Sequence, residues 1–108
     1  MNAHLDPAQL ARRLAAPDAP RLLDVRNPEE AAFASIPGSR LVPLGLLAES
    51  IDSLQDWRDA EIVVYCHHGV RSLHAIDILR REGFTKLINL RGGIDRWSVE
   101  VDPGVARY

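Results

Sequence analysis

The spacing of apolar positions changes repeatedly along the chain, and each change falls beside a capping or turn residue. Asp6-Pro7 sets an N-cap before a proline at the first helical position, and Leu10, Ala11 and Leu14 then share one face of a helix that stops before Pro17. Arg21-Leu22-Leu23-Asp24-Val25-Arg26 predicts a short strand. Asn27-Pro28-Glu29-Glu30 restarts a helix, with Asn27 as cap and Glu30 at the capping-box position. Ile36-Pro37-Gly38 turns the chain, and Arg40-Leu41-Val42-Pro43-Leu44 predicts another short strand. Between Gly45 and Trp57, the i, i+4, i+7 spacing of Leu47, Ile51 and Leu54 predicts an amphipathic helix.

Glu61-Ile62-Val63-Val64-Tyr65-Cys66 is a β-branched apolar run, the pattern of a strand buried on both faces. A polar loop, His67 to Arg71, leads to Ser72, which is expected to cap a helix striped by Leu73, Ile76 and Leu79 and closed by Gly83. Lys86-Leu87-Ile88-Asn89-Leu90 is the last predicted strand, and Gly92-Gly93 turns into a short helix around Trp97. Strands alternating with helices define an α/β chain with a central, mostly parallel sheet and helices on both faces. No repeat or linker divides it, and 108 residues suit a single domain, so 1–108 is read as one unit.

Composition narrows the possible functions. Hydrophobic residues make up 46% and charged residues 26%, which fits a packed core and excludes a low-complexity chain. The net charge of −2 supplies no attraction to nucleic acid or an anionic membrane. The N-terminal stretch carries Asp6, Arg12 and Arg13 where a signal peptide needs an unbroken apolar run. A single cysteine excludes an intrachain disulfide and suits a reducing compartment, so a cytoplasmic location is expected.

That cysteine holds the candidate chemistry. Cys66 ends a strand where loop and helix join, and ligands of parallel α/β sheets bind beyond such carboxyl ends. A helix N-terminus offers unpaired N–H groups and a partial positive charge to an anion, either a ligand or the thiolate itself. A free thiol has a pKa of ~8.5, and lowering it by ~1.5 units needs only ~2 kcal/mol, within reach of a helix end plus one arginine. From Cys66 to Ala75 the chain carries Arg71 and three histidines but no acid, although the whole chain is acidic. Gly69 allows the loop to curl. A free cysteine is more often a small buried hydrophobe; the glycine, the arginine and the serine beside this one favour a functional thiol.

Cys66-His67-His68-Gly69-Val70-Arg71-Ser72 resembles the active-site loop of the rhodanese family of sulfurtransferases. The resemblance runs over most of the chain: Leu23-Asp24-Val25-Arg26-Asn27-Pro28-Glu29-Glu30 is similar to the family's DVRxxxE segment, Ile36-Pro37-Gly38-Ser39 to its HIPGA segment, and Asn89-Leu90-Arg91-Gly92-Gly93-Ile94-Asp95-Arg96-Trp97 to its closing GGxxxW segment. Ser35 departs from the histidine usual in the family, at a position outside the loop. The ending, Val101-Asp102-Pro103-Gly104 to Tyr108, is similar to rhodanese domains fused to sulfur-carrier adenylyltransferases. The resemblance implies a single rhodanese-like domain that moves a sulfane sulfur through a Cys66 persulfide. The donor would be a small anion such as thiosulfate or another persulfide. The acceptor would be cyanide in an assay, and a thiol or sulfur-carrier protein in the cell.

Within that scheme Cys66 is the catalytic residue, and His67, His68, Gly69, Val70, Arg71 and Ser72 form the substrate-binding loop. Arg71 can fork onto an oxyanion. His67 and His68 either assist electrostatically or are solvated loop residues. Asp24 and Arg26 are read as scaffold, Arg26 pairing with Glu29 or Glu30. Trp57 and Trp97 are read as core or rim, and His74 as exposed. No cofactor is implied. A metal is not expected either: adjacent His67 and His68 should point apart, and no acid completes a set with Cys66 and His74. The competing functions are a binding module that keeps the fold without turnover and a cysteine-dependent phosphatase of the dual-specificity type. The latter's C-x5-R loop is one residue longer than the C-x4-R spacing from Cys66 to Arg71.

Overall fold

A computed structural model describes residues 3–108. Strands β1 (Ala3–Leu5), β2 (Arg21–Asp24), β3 (Arg40–Leu41), β4 (Ile62–Tyr65) and β5 (Leu87–Leu90) form one sheet in the order β1-β5-β4-β2-β3, with every neighbouring pair parallel. Helices α1 (Pro7–Leu14), α2 (Pro28–Phe33), α3 (Arg71–Arg81) and α4 (Gly93–Glu100) connect and cover it. Gln9 and Glu30 each accept the backbone N–H of the residue before their helix, Asp6 at 2.8 Å and Asn27 at 3.1 Å.

Side chains alternate along β4 and divide the core. Ile62, Val64 and Cys66 pack with Ala75, Ile76 and Leu79 of α3 and with Leu47, Ile51 and Leu54. Val63 and Tyr65 pack on the other face with Leu10 of α1 and with Ile94 and Trp97 of α4. Both faces of β4 are therefore dry, as its unbroken apolar run predicts, and helices lie on both sides of the sheet. No helix among the described residues is long and apolar enough to cross a membrane.

The structure departs from the sequence expectations in several places. The three-residue β1 was not predicted; it pairs with β5 in the register His4↔Asn89 and is too short to show a period. The segment expected as an α-helix is two 3₁₀ stretches, Leu44–Leu46 and Ala48–Trp57. Leu47, Ile51 and Leu54 are buried as expected, but Ile51, Leu54 and Trp57 fall at the three-residue spacing of a 3₁₀ turn. Ser50 and Ser53 donate to the carbonyls of Leu46 and Ser50 at 2.7 Å each, so their hydroxyls compete with the backbone for acceptors. Helix α3 begins at Arg71 with Val70 at the cap position, so Ser72 is its second residue and not its cap.

Candidate active site

Cys66 lies just past the end of β4, buried, at the start of α3. Its Sγ accepts the Gly69 N–H at 3.1 Å and the Ser72 N–H at 3.4 Å, and its S–H faces Ser72 Oγ at 3.6 Å. These contacts need Gly69 at φ +98°. The Ser72 hydroxyl donates to Asn89 Oδ1 on β5, and the Asn89 amide meets His4 Nδ1 at 3.1 Å. Ser72 therefore does not cap α3: it is fully buried, and its side chain turns inward to the sheet.

The other side of the loop is fixed by α4. The carbonyls of Cys66 and His67 accept the N–H groups of Ile94 at 2.9 Å and Asp95 at 3.1 Å. One helix N-terminus thus holds the sulfur through N–H groups, while a second holds the carbonyl of the same residue. Such a cradle of backbone donors favours the thiolate form of a cysteine.

His67 and His68 do not diverge. Their rings stack at 3.8 Å between centroids and 30° between planes, and Tyr108 stacks on the other side of His67 at 3.9 Å and 6°. Burial, and secondarily the neighbouring His68, pushes His67 below the usual histidine range, and its Nε2 is enclosed without a hydrogen-bond partner among the described residues. The neutral imidazole is therefore favoured at neutral pH. An acid also joins the pair: atoms of His67, His68 and Asp95 lie within 4.8 Å of one another. That group is poorly arranged for an ion. The stacked rings lie face to face 3.8 Å apart, which keeps their in-plane lone pairs from converging, and the Asp95 carboxylate is bound by Arg107 at 2.9 and 3.2 Å.

Arg71 differs most from expectation. The stretch Cys66 to Ala75 has no acid, but α2 brings Glu30 to it across space. The Arg71 guanidinium forks onto both Glu30 oxygens at 2.7 and 2.8 Å. Glu30 also accepts the Tyr108 hydroxyl at 2.8 Å, while Arg26 donates to that hydroxyl at 2.7 Å. Chiefly through the Arg71 hydrogen bonds, the Glu30 carboxyl is held down at about 2. Arg26 does not pair with the Glu29 or Glu30 carboxylate as expected. It is fully buried and doubly bonded to Asp24 at 2.9 and 2.8 Å, and it donates to the carbonyls of Ala34 and Glu30.

Of the expected loop residues, Gly69 and Ser72 contact the Cys66 sulfur directly, while His67 and His68 stack on each other and Arg71 turns to Glu30. Val70 points outward, 67% exposed, and His74 is exposed on α3. Glu30, Asp95, Asn89 and Tyr108 also belong to the surroundings of the loop. Glu30 was visible in the sequence as a capping residue; nothing in its spacing shows that its carboxylate also reaches Arg71.

The fold and this cradle together define a parallel α/β domain built around a single thiol. The family model of the rhodanese-like domain matches residues 6–100, and the chain belongs to that family. It is 34% identical over 102 residues to a sulfurtransferase of Allochromatium vinosum, with 94% of each chain covered. It is 33% identical over 87 residues to the probable adenylyltransferase/sulfurtransferase MoeZ of Mycobacterium tuberculosis, but spans only 22% of that protein. Among solved structures, a rhodanese-related protein of Thermoplasma volcanium superposes with a TM-score of 0.82 at 33% identity, covering 98% of this chain and 99% of that one. These relatives make the chain an enzyme of the sulfurtransferase type.

Proposed function

We propose that the chain moves a sulfane sulfur from thiosulfate or a persulfide to a thiophilic acceptor, with Cys66 as the nucleophile. The observation that carries the proposal is the Cys66 sulfur facing the N–H groups of Gly69 and Ser72. In the first half-reaction the Cys66 thiolate attacks the outer sulfur of the donor. With thiosulfate, the S–S bond breaks, its electron pair leaves with sulfite, and the transferred sulfur remains as the anionic end of a Cys66 persulfide. In the second, an acceptor attacks that outer sulfur and the pair returns to the Cys66 thiolate. Backbone N–H groups hold the anionic sulfur in both directions. His67, kept neutral by burial, borders the cradle without adding charge. The MoeZ relative, named for both adenylyltransferase and sulfurtransferase activities, favours a sulfur-carrier or thiol protein as the cellular acceptor.

Intact-mass measurement after incubation with excess donor tests this. One added sulfur is expected on the wild type and none on Cys66→Ser, whose hydroxyl keeps the shape but is not ionised at neutral pH. A folded Ser variant that still gains sulfur, or turns donor over, would refute the mechanism.

A further inference from the structure

The charges around the loop come in pairs. Arg71 is forked onto Glu30, Arg26 onto Asp24, and Arg107 onto Asp95. Arg91 faces Asp6, and Arg96 pairs with Glu100 as well as with Asp6. Neutral His67 adds nothing at neutral pH. The groups that touch the Cys66 sulfur are backbone N–H groups and a hydroxyl, none of which carries a formal charge. Among the described residues, a dianion arriving at this mouth therefore meets backbone dipoles and arginines already engaged in ion pairs.

We infer that Glu30 is a specificity-determining residue: by closing Arg71 into an ion pair, it tunes the site towards alkyl persulfide donors, which bring at most one negative charge to the reacting end, and against dianionic thiosulfate. The inference rests on the sulfurtransferase reading above. The reaction with the favoured donor is balanced within that scheme. The Cys66 thiolate attacks the outer sulfur of R–S–SH, the S–S bond breaks, and its electron pair leaves on the R–S thiolate. The transferred sulfur keeps its proton as Cys66–S–SH. No oxidant or reductant is needed. The leaving thiolate is monoanionic, whereas thiosulfate must place its sulfonate, and later a sulfite dianion, beside the Glu30 carboxylate.

Glu30 has a second anchor. The Tyr108 hydroxyl donates to it, while the Tyr108 ring lies on His67 and meets Phe33 edge-on at 5.7 Å. Glu30 is thus held at the loop from two sides, by Arg71 and by Tyr108.

The test varies the charge of the pair and reads the ratio of kcat/KM for thiosulfate to that for cysteine persulfide. Wild type has a neutral pair, Glu30→Gln leaves +1, Arg71→Gln leaves −1, and the double variant is neutral again. The expected order is Glu30→Gln above wild type, wild type equal to the double variant within about threefold, and Arg71→Gln lowest, with steps of about tenfold at low salt that shrink as salt is added. A ratio that follows only the presence of Arg71, with Glu30→Gln equal to wild type and the double variant equal to Arg71→Gln, would overturn the inference, because Arg71 would then bind the donor directly. If Glu30→Gln does not fold, the comparison of Arg71→Gln with the double variant decides the same point. If the wild type forms no Cys66 persulfide from either donor, the sulfurtransferase reading fails; if it forms one and the ratio ignores the pair's charge, only this inference does.

Discussion

Gly93 is the residue on which the loop rests, and its substitution gives the sharpest test of the geometry. It has φ +62°, and a Cβ built there would lie 2.4 Å from the His67 carbonyl oxygen and 2.5 Å from that of Cys66. Real Cβ contacts essentially never fall below 3.0 Å, so Gly93→Ala must push both carbonyls away by about half an ångström. These carbonyls accept the Ile94 and Asp95 N–H groups at 2.9 and 3.1 Å, so the push weakens both bonds. Left-handed backbone costs an alanine about 1–2 kcal/mol, and two weakened buried hydrogen bonds add about 1 kcal/mol each. The sum is about 3 kcal/mol, or a fall in Tm of about 10–20 °C for a domain of this size.

Gly38→Ala provides the control. Gly38 has a similar φ of +86° but nothing within 4 Å of the added Cβ, so the backbone cost alone, about 1 kcal/mol, is expected there. Thermal unfolding by circular dichroism compares the two variants, and the rate of Cys66 persulfide formation is measured on each while folded. Gly93→Ala should slow that rate at least tenfold, because the sulfur and its donors move with the displaced carbonyls; Gly38→Ala should not. Equal Tm losses in the two variants, or an unchanged rate in Gly93→Ala, would refute the claim that α4 positions the loop.

Two further outcomes follow from the site. The Glu30 carboxyl titrates near 2 in the folded chain and in the usual range near 4.5 when unfolded, so its contribution to stability is complete above about pH 5 and is lost as pH falls towards 2. Allowing for solvent around the partly exposed Arg71, that contribution is about 2 kcal/mol, and urea unfolding of wild type and Glu30→Gln should converge by about this amount between pH 5 and 2; parallel curves would show that the pair does not stabilise the fold. The C-x4-R spacing from Cys66 to Arg71 leads us to expect no Cys66-dependent hydrolysis of aryl phosphates, and one residue inserted after Gly69 should lower sulfur transfer; a wild type that hydrolyses such a phosphate and forms no persulfide would replace the sulfur reading with a phosphatase one.

The parts of the fold legible in the sequence are those governed by short-range physics. The double burial of β4 was written in Ile62-Val63-Val64-Tyr65, and the starts of α1 and α2 in Asp6-Pro7 and Asn27-Pro28. The position of Cys66 at a strand-to-helix junction followed from the same local signals. What escaped depends on distant partners. β1 exists because β5 offers it an edge, and its three residues contain no period to detect. Ser72 has the composition of a cap, but its hydroxyl is claimed by Asn89, 17 positions away. Tyr108 reaches Glu30 over 78 positions and stacks on His67, a placement that no local pattern announces.

Arg71 shows why charge read along a chain misleads. Between Cys66 and Ala75 the residues sum to an excess of positive charge, which suggested an open cation for a bound anion. At the first position of α3, however, a guanidinium opposes the helix dipole, whose positive end lies there. A free Arg71 would raise the energy of the helix start and compete with its N–H groups for any anion nearby. Glu30 resolves both conflicts. Its carboxylate satisfies the guanidinium and places negative charge where the dipole favours it, leaving the Ser72 N–H, together with that of Gly69, to the Cys66 sulfur. The Arg71 guanidinium is thus tied to Glu30, and the groups that face the Cys66 sulfur are the backbone N–H groups of Gly69 and Ser72. Substitutions at Arg71 should therefore act through Glu30 and the helix start, whereas displacement of the Gly69 and Ser72 amides acts on the sulfur directly.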